Sequence, residues 1–194
     1  TINGATLRKM LVTSYSLLEE NKNNIDALNI FPVPDGDTGT NMTLTLKSAV
    51  AEMNSCDGGT IEAISVAFNR GALKGARGNS GVILSQIFRG FAMGLEGKKE
   101  VDCYDFADAF ISAKDVAYKA VMKPVEGTIL TVAREACDYV NKKVSKKSTI
   151  NDFFEYYMEE AYASLERTPE LLPVLKDAGV VDSGAAGFIK VVEG

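Results

Sequence analysis

Apolar residues recur every three or four positions along most of this chain, and this spacing limits the fold more than any other feature. The first such stretch predicts a helix over residues 3–21, whose apolar face is formed by Leu7, Met10, Leu11, Leu17 and Leu18. Alternating apolar and polar residues, which would indicate half-buried strands, are nearly absent. We therefore predict an all-α domain of about eight helices, whose short connections favour antiparallel neighbours.

Prolines, glycines and polar stretches divide the rest of the chain. Residues 22–29 are predicted to form a short polar connection, and prolines and glycines exclude a helix from Ile30 to Thr40. Further helices are predicted over residues 41–53, 60–70, 82–91, 104–122, 127–144, 152–165 and 169–177, and from residue 184 onwards. Thr60 and Asn151 are the predicted N-caps of two of these helices, and Pro169 is predicted to open a short one.

The length and charge of the chain limit its function. Its 194 residues fit a single domain over residues 1–194, and a net charge of −5 argues against bulk electrostatic binding to nucleic acid. No apolar run approaches the roughly 20 residues of a membrane span, and no signal peptide is visible. We expect no direct membrane insertion. Because the chain starts without methionine and stops after an apolar segment, we also expect further domains of a longer parent protein.

Cysteine and histidine usage restrict the chemistry. Cys56, Cys103 and Cys137 lie far apart in the sequence and form no C-x-x-C pair, which predicts free thiols in the cytoplasm. The chain contains no histidine, which excludes a Ser-His-Asp triad, a histidine-bound zinc ion and a histidine general base. Any reaction must therefore use carboxylates, amides, hydroxyls, lysine, arginine or bound ions.

The strongest functional motif is the loop Pro32-Val-Pro-Asp35-Gly-Asp37-Thr-Gly-Thr-Asn41. Its two carboxylates flank one glycine, and such a pair repels unless a divalent cation lies between the charges. The loop leads into a helix start, whose free N–H groups favour an anion. This combination predicts a magnesium–nucleotide site. The alternatives are a surface turn and an aspartate that only caps the following helix.

Three further polar loops each precede a predicted helix. They are Gly75-Ala-Arg77-Gly78-Asn79-Ser80-Gly81, Lys123-Pro-Val-Glu-Gly-Thr128 and Gly179-Val-Val-Asp182-Ser183-Gly184. Each has a simple structural interpretation, either close packing of helices through glycine or ordinary capping by Ser, Thr or Asp. Helix starts that gather at one end of an antiparallel bundle would, however, direct their N–H groups towards a common anion. We therefore predict that the four loops form one site.

These motifs resemble a known family. The segment Asn29-Ile-Phe-Pro-Val-Pro-Asp-Gly-Asp-Thr-Gly-Thr-Asn-Met42 is similar to the metal loop of the dihydroxyacetone kinase L-subunit family. The segments over residues 75–90, 120–130 and 168–184 resemble the bacterial branch of that family, the N-terminal domain of fatty acid kinase A. Together the segments span most of the chain.

The resemblance implies a barrel of eight antiparallel helices that binds the nucleotide, ATP or ADP, at one end with two magnesium ions. Asp35 and Asp37 correspond to two of the three metal ligands. The third is an aspartate in dihydroxyacetone kinases, where this chain has Ile30, and Asn29 is the nearest candidate. The implied phosphate and nucleoside contacts are Thr38, Gly39, Thr40, Asn41, Asn79, Ser80, Thr128, Thr168, Asp182, Ser183 and Gly184.

The resemblance also implies a substrate. The phosphoryl acceptor would be a fatty acid carboxylate, carried by a separate fatty-acid-binding protein, and the product an acyl phosphate for phospholipid synthesis. We identify no catalytic general base, and an ionised carboxylate needs none. Three alternatives remain open from the sequence: dihydroxyacetone as acceptor, a regulatory module that binds magnesium and nucleotide without chemistry, and a purely structural helical bundle.

Overall fold

The computed structural model describes all 194 residues, Thr1–Gly194, and the predicted all-α fold is confirmed. Its nine helices are α1 (Gly4–Leu28), α2 (Thr38–Asn54), α3 (Ile61–Gly75), α4 (Gly78–Gly94), α5 (Cys103–Ala120), α6 (Ile129–Lys143), α7 (Ile150–Leu171), α8 (Pro173–Ala178) and α9 (Ser183–Glu193). Two short strands, β1 (Ile2–Asn3) and β2 (Glu100–Val101), pair antiparallel with Ile2 opposite Val101. None of the helices has both the length and the apolar character needed to cross a membrane.

Consecutive long helices pack against one another, and α9 packs against α1, so the helices close into a ring. Glycines allow close approach between some of them. A Cβ atom at Gly90 of α4 would lie 2.4 Å from the carbonyl oxygen of Ser112 in α5, and one at Gly94 would lie 2.7 Å from the Cα atom of Ala109. Gly94 follows Gly90 in α4, whereas its contact Ala109 precedes Ser112 in α5, so the two helices run antiparallel.

Aromatic side chains fill the half of the ring in which α1, α5 and α7 begin. The ring centroids of Phe110 and Tyr157 lie 4.8 Å apart, and those of Phe110 and Phe153 lie 5.1 Å apart. An apolar cavity of about 320 Å³ lies in this half, bordered by the first turns of these helices and by the ends of α4 and α9. The polar loops lie at the other end, where α2, α4, α6 and α9 begin.

Several predicted boundaries are wrong. Residues 22–28 continue α1, because Ile25 extends its buried face one heptad beyond Leu18 while polar neighbours stay on the outside. Helix α2 begins at Thr38 rather than Asn41, and the N-cap of α7 is Thr149 rather than Asn151.

Pro169 does not open a helix but lies inside α7. Proline has no N–H group to donate to the carbonyl oxygen of Leu165, four residues earlier. The hydroxyl of Thr168 donates to that oxygen at 2.7 Å instead. This hydrogen bond compensates for the missing one and lets the last turn of the helix form.

Candidate functional site

Two adjoining cavities open where α2, α4, α6 and α9 begin. The polar cavity, about 180 Å³ in volume, is bordered by Asn29, Pro32, Val33, Asp35, Asp37, Thr38, Asn41, Gly78, Asn79 and Ser80. The mixed cavity, about 410 Å³, combines an apolar wall with the starts of α6 and α9. Pro32, Asn79 and Ser80 border both cavities, so one ligand can extend from the first into the second. The four loops therefore lie together, as their positions before helices predict.

Asp35 and Asp37 border the polar cavity on either side of Gly36, which has a φ of +67° and turns the chain sharply. A hydrogen bond with Asp37 raises the pKa of Asp35, with burial and the charge of Asp37 as smaller causes. Asp37 occupies the N-cap position of α2, yet its side chain makes no capping hydrogen bond. The capping explanation for Asp37 therefore fails, and both carboxylates are available to a cation.

Asn29 borders the same cavity but is itself buried. Its side-chain oxygen accepts hydrogen bonds from the backbone N–H groups of Asp37 at 3.1 Å and of Thr38 at 3.2 Å. Its side-chain nitrogen donates to the carbonyl oxygens of Val33 at 3.0 Å and of Phe31 at 3.5 Å. The side chain of Asn29 thus joins the two sides of the loop that carries the carboxylates.

The first turn of α2 contains Gly39 and Thr40, neither of which borders a cavity. The N–H group and hydroxyl of Thr40 both donate to the carboxylate of Asp26, at 2.9 Å and 2.7 Å. The N–H group of Gly39 has no acceptor in the protein. A Cβ atom at this position would lie 2.2 Å from the carbonyl oxygen of Lys22, so only glycine allows α1 to pass this close.

The glycine-rich stretch before α4 combines both of its predicted roles. Gly75 ends α3 and packs against Ser48, where a Cβ atom would lie 2.2 Å from the side chain. Gly78 has a φ of +64° and begins α4 beside Asn41. This turn brings Asn79 and Ser80 to the boundary between the two cavities. Helix packing therefore explains Gly75, and turn formation at the site explains Gly78.

The starts of α6 and α9 supply the polar edge of the mixed cavity through Thr128, Asp182, Ser183 and Gly184. Asp182 caps α9 by accepting from the N–H group of Ala185 at 2.9 Å. Burial raises the pKa of Asp182 to about 6, although hydrogen bonds from backbone N–H groups oppose this. The hydroxyl of Ser183 donates to that of Thr38 at 3.2 Å, which joins α9 to α2.

Thr168 is not brought into either cavity. It is fully buried in α7, and its hydroxyl accepts a hydrogen bond from the N–H group of Asp182 at 3.1 Å. It therefore supports the last loop from behind. Thr128 does border the mixed cavity, but its hydroxyl donates to the carbonyl oxygen of Val125 rather than capping α6.

Several residues at this end of the bundle are not among the predicted site residues. Asp26 lies in the segment 22–29 that the sequence predicts to be a connection. Within α1 it is an acid in the last turn, where the helix dipole disfavours it. That anomaly is the one signal that marks it. The apolar wall of the mixed cavity and its nearby cation lie within motif segments but were given no role by the sequence: Phe31, Val82, Ile83, Val121, Lys123, Val125, Ile129 and Leu130.

The donors in the polar cavity fit magnesium. Carboxylate, amide and hydroxyl oxygens border it, and Mg²⁺ prefers oxygen ligands, usually one or two carboxylates with phosphates and water. The side-chain hydrogen bond with Asp37 that raises the pKa of Asp35 places the two carboxyl groups side by side, and a bound cation would neutralise their charge. No third acidic, cysteine or histidine side chain joins them in a metal-binding group.

Comparison with known proteins agrees with this geometry. The family model described as the DAK2 domain matches residues 32–194. Protein YloV of Bacillus subtilis is 52% identical over 194 residues, and an uncharacterised protein of Staphylococcus epidermidis is 48% identical over 193. All of this chain aligns with 35% of each, so the chain spans about a third of the length of these curated relatives.

A solved structure has the same fold. The dihydroxyacetone kinase from C. freundii, solved in complex with AMP-PNP and Mg²⁺, superposes with a TM-score of 0.69 at 17% sequence identity. The match covers the whole of this chain and 33% of that kinase. The native form of the same kinase superposes with a TM-score of 0.63 at 16% identity.

Proposed function

Because this chain belongs to the DAK2 domain family, we propose that it is the nucleotide-binding and phosphoryl-transfer domain of an ATP- and magnesium-dependent kinase. The observation that carries the proposal is the convergence of four helix starts on two adjoining cavities, one of which is bordered by Asp35 and Asp37. Phosphoryl transfer depends mainly on positioning and on neutralising charge, and this end of the bundle has groups suited to both.

Each side of the site has its own task. Asp35 and Asp37 would hold two magnesium ions, which when bound neutralise phosphate charge during transfer. The polar side chains of Asn79 and Ser80, in the first turn of α4, suit phosphate oxygens. The apolar wall of the mixed cavity suits a nucleoside, with Thr128 and Asp182 at its polar edge.

We further propose that the acceptor is a fatty acid carboxylate, which a separate protein carries to the site, and that the product is an acyl phosphate. The carboxylates that border the cavities already have roles, Asp35 and Asp37 towards the metal and Asp182 as a cap. No free base remains to deprotonate an alcohol, whereas a carboxylic acid is ionised at neutral pH. Val33, Val82 and Val125 are exposed at the cavity mouths and suit an acyl-carrying partner.

Thermal unfolding with and without magnesium tests the binding step. ATP with magnesium at about 100 times the dissociation constant should stabilise the domain by roughly 2.7 kcal/mol. ATP with excess chelator should stabilise it much less. Equal stabilisation under both conditions would contradict the magnesium site. No stabilisation under either condition would favour a purely structural helical bundle.

Single-turnover transfer from labelled ATP tests the acceptor. Three parallel reactions contain the full-length protein with a fatty acid on its carrier protein, with dihydroxyacetone, or with neither. Label in an acyl phosphate supports the proposal. Label in dihydroxyacetone phosphate would show that the acceptor is dihydroxyacetone rather than a fatty acid. Tight magnesium–nucleotide binding without transfer in any reaction would favour a regulatory module.

A further inference from the structure

The last turn of α1 and the residue after it make contacts that no metal-binding role requires. We infer that Asp26 and Asn29 form a brace that fixes the carboxylate loop and the first turn of α2, and that Asn29 is a positioning residue rather than a magnesium ligand. The inference rests on the proposed function insofar as the loop is a metal loop. It changes the composition of that site from three ligands of the chain to two.

The side-chain oxygen of Asn29 is fully used. An amide oxygen has two lone pairs, and here the N–H groups of Asp37 and Thr38 donate to them at 3.1 Å and 3.2 Å. Binding a cation would leave at least one of these N–H groups without its acceptor. Since Asn29 is only 7% exposed, water could not readily replace the lost hydrogen bond, which makes that exchange unfavourable.

The nitrogen of the same amide explains why an asparagine suits this position. It donates to the carbonyl oxygens of Val33 and Phe31, which precede Asp35 along the loop. An aspartate at this position could also accept hydrogen bonds from the two N–H groups. Its second oxygen, however, would face the carbonyl oxygens and repel them, because it has no hydrogen to donate. The contacts of Asn29 therefore require both ends of an amide, whereas a metal ligand would use only the oxygen.

Asp26 fixes the next part of the loop. Its carboxylate accepts from the N–H group of Thr40 at 2.9 Å and from the hydroxyl of Thr40 at 2.7 Å. The charge is unfavourable at the end of α1 but favourable at the start of α2, where the helix dipole is positive. Both donors of Thr40 are thus occupied within the protein, and Thr40 supports the site rather than contacting phosphate.

The two remaining carboxylates are sufficient for magnesium. Mg²⁺ usually binds one or two carboxylates and completes its octahedron with phosphate oxygens and water. A rigid loop compensates for the missing third ligand, because Asp35 and Asp37 are then held in position before the cation arrives. In metal sites, losing such a supporting residue typically weakens metal binding about tenfold to a hundredfold.

Hydrogen exchange on the unmodified protein tests the inference directly. The amide protons of Asp37 and Thr38 should be protected without metal and stay protected with saturating magnesium alone, because Asn29 accepts from them in both states. If Asn29 were a ligand, magnesium would withdraw its oxygen and the two amides would exchange faster. Faster exchange with magnesium would overturn the inference.

Variants provide a second readout. Asn29→Ala should lower the apo melting temperature by about 5 °C, because buried groups of the loop lose their partners. Its affinity for magnesium with ADP should fall about tenfold to a hundredfold. Asn29→Asp should also lower the apo melting temperature. A matched control is Asn69→Ala, which removes the same amide where its oxygen has no hydrogen-bond partner; it should change neither quantity.

The outcomes separate this inference from the proposed function. If the parent protein binds no magnesium–nucleotide complex, the proposed function fails, while the apo melting temperatures and amide protection still report on the brace. If the parent binds the complex and Asn29→Ala loses it without any fall in apo melting temperature, Asn29 is a ligand and the brace is wrong. The exchange measurement decides the question even where a variant does not fold.

Discussion

The two ends of the bundle differ in how their helices begin. At one end, α1, α3, α5 and α7 each start with a residue whose side chain accepts a hydrogen bond from an N–H group three residues later: Asn3, Thr60, Asp102 and Thr149. At the other end, the N-cap residues of α2, α4 and α6 make no such bond: Asp37, Arg77 and Thr128. All four helix starts at the first end thus have a local side-chain cap, whereas three of the four starts that border the cavities at the other end have none.

This difference has a physical consequence. Each helix start presents several N–H groups without intrahelical acceptors, and a local cap satisfies one or two of them. Where caps are missing, the N–H groups can interact with phosphate oxygens, and the helix dipoles favour the negative charge. In this chain the starts of α2 and α4 border the polar cavity together with Asp35 and Asp37, and the start of α6 borders the adjoining mixed cavity. We therefore expect substitutions at the two ends to act differently, one on ligand binding and the other on apo stability.

The largest effect should come from the carboxylates at the uncapped end. Asp37→Asn removes one anionic ligand and should weaken magnesium–nucleotide binding by about 4 kcal/mol, roughly a thousandfold. Because Asp37 makes no capping hydrogen bond and lies beside Asp35, the apo domain should be as stable as the parent or slightly more so. Calorimetric titration with magnesium and ATP, together with apo melting, measures both quantities.

Asp35→Asn and the double variant complete this test. Both should bind the complex as weakly as Asp37→Asn or more weakly, without loss of apo stability. Variants that bind like the parent would mean that the carboxylates hold no metal. A fall of about 1 kcal/mol in apo stability would instead mark Asp37 as an ordinary cap and remove the difference between the two ends.

Asp182 is the exception at the uncapped end, because it does cap its helix, and its burial makes it sensitive to pH. Its pKa rises from 3.8 to about 6 in the folded protein, so the folded state holds the proton more tightly than the unfolded state. This contribution to stability is present below pH 4 and is lost as the pH rises towards 6. The unfolding free energy should therefore decrease over that range.

Asp182→Asn removes this dependence, since an asparagine can cap α9 without titrating. Relative to the parent, the variant should gain about 2 kcal/mol of unfolding free energy between pH 4 and pH 6, and about 3 kcal/mol over the full range from well below pH 4 to well above pH 6, beyond which the gain should stay constant. Denaturant unfolding at several pH values measures the difference. Curves that remain parallel over this range would show that Asp182 does not change its protonation between folding and unfolding there.

The sequence predicts this end of the molecule well where the signal is local. Asp35, Gly36 and Asp37 are adjacent in the chain, and the pairing of two carboxylates around one glycine is visible without a structure. The later loops gather because short connections make neighbouring helices antiparallel, so alternate helix starts lie at the same end. The helical periodicity and the polar loops therefore predict both the fold and the position of the site.

The supporting contacts could not be predicted, because they join residues that are distant in the sequence. Asp26 binds Thr40 fourteen positions later, and Thr168 accepts from Asp182 also fourteen positions later. Apart from the unfavourable position of Asp26 at the end of α1, nothing in the local sequence distinguishes these polar residues from solvated ones. The role of Thr168 beside Pro169 likewise depends on a hydroxyl that replaces a missing N–H group, and helix propensity does not include such a contact.

The smallest effects should come from two threonines at opposite ends, and they compare the ends most directly. Thr149 caps α7 in a reciprocal arrangement with Asp152, whereas Thr128 occupies the same position in α6 without capping it. Thr149→Ala should cost about 1 kcal/mol of apo stability, or roughly 2–4 °C in melting temperature, and leave nucleotide affinity unchanged.

Thr128→Ala should cost about 0.5 kcal/mol of apo stability or less, since the Thr128 hydroxyl bonds only to the carbonyl oxygen of the nearby Val125. Because Thr128 borders the mixed cavity, the same change should weaken magnesium–nucleotide binding about threefold to tenfold. Melting and titration of both variants in parallel give the answer: if Thr128→Ala lost stability and kept its affinity, as Thr149→Ala should, the two ends would not differ in function.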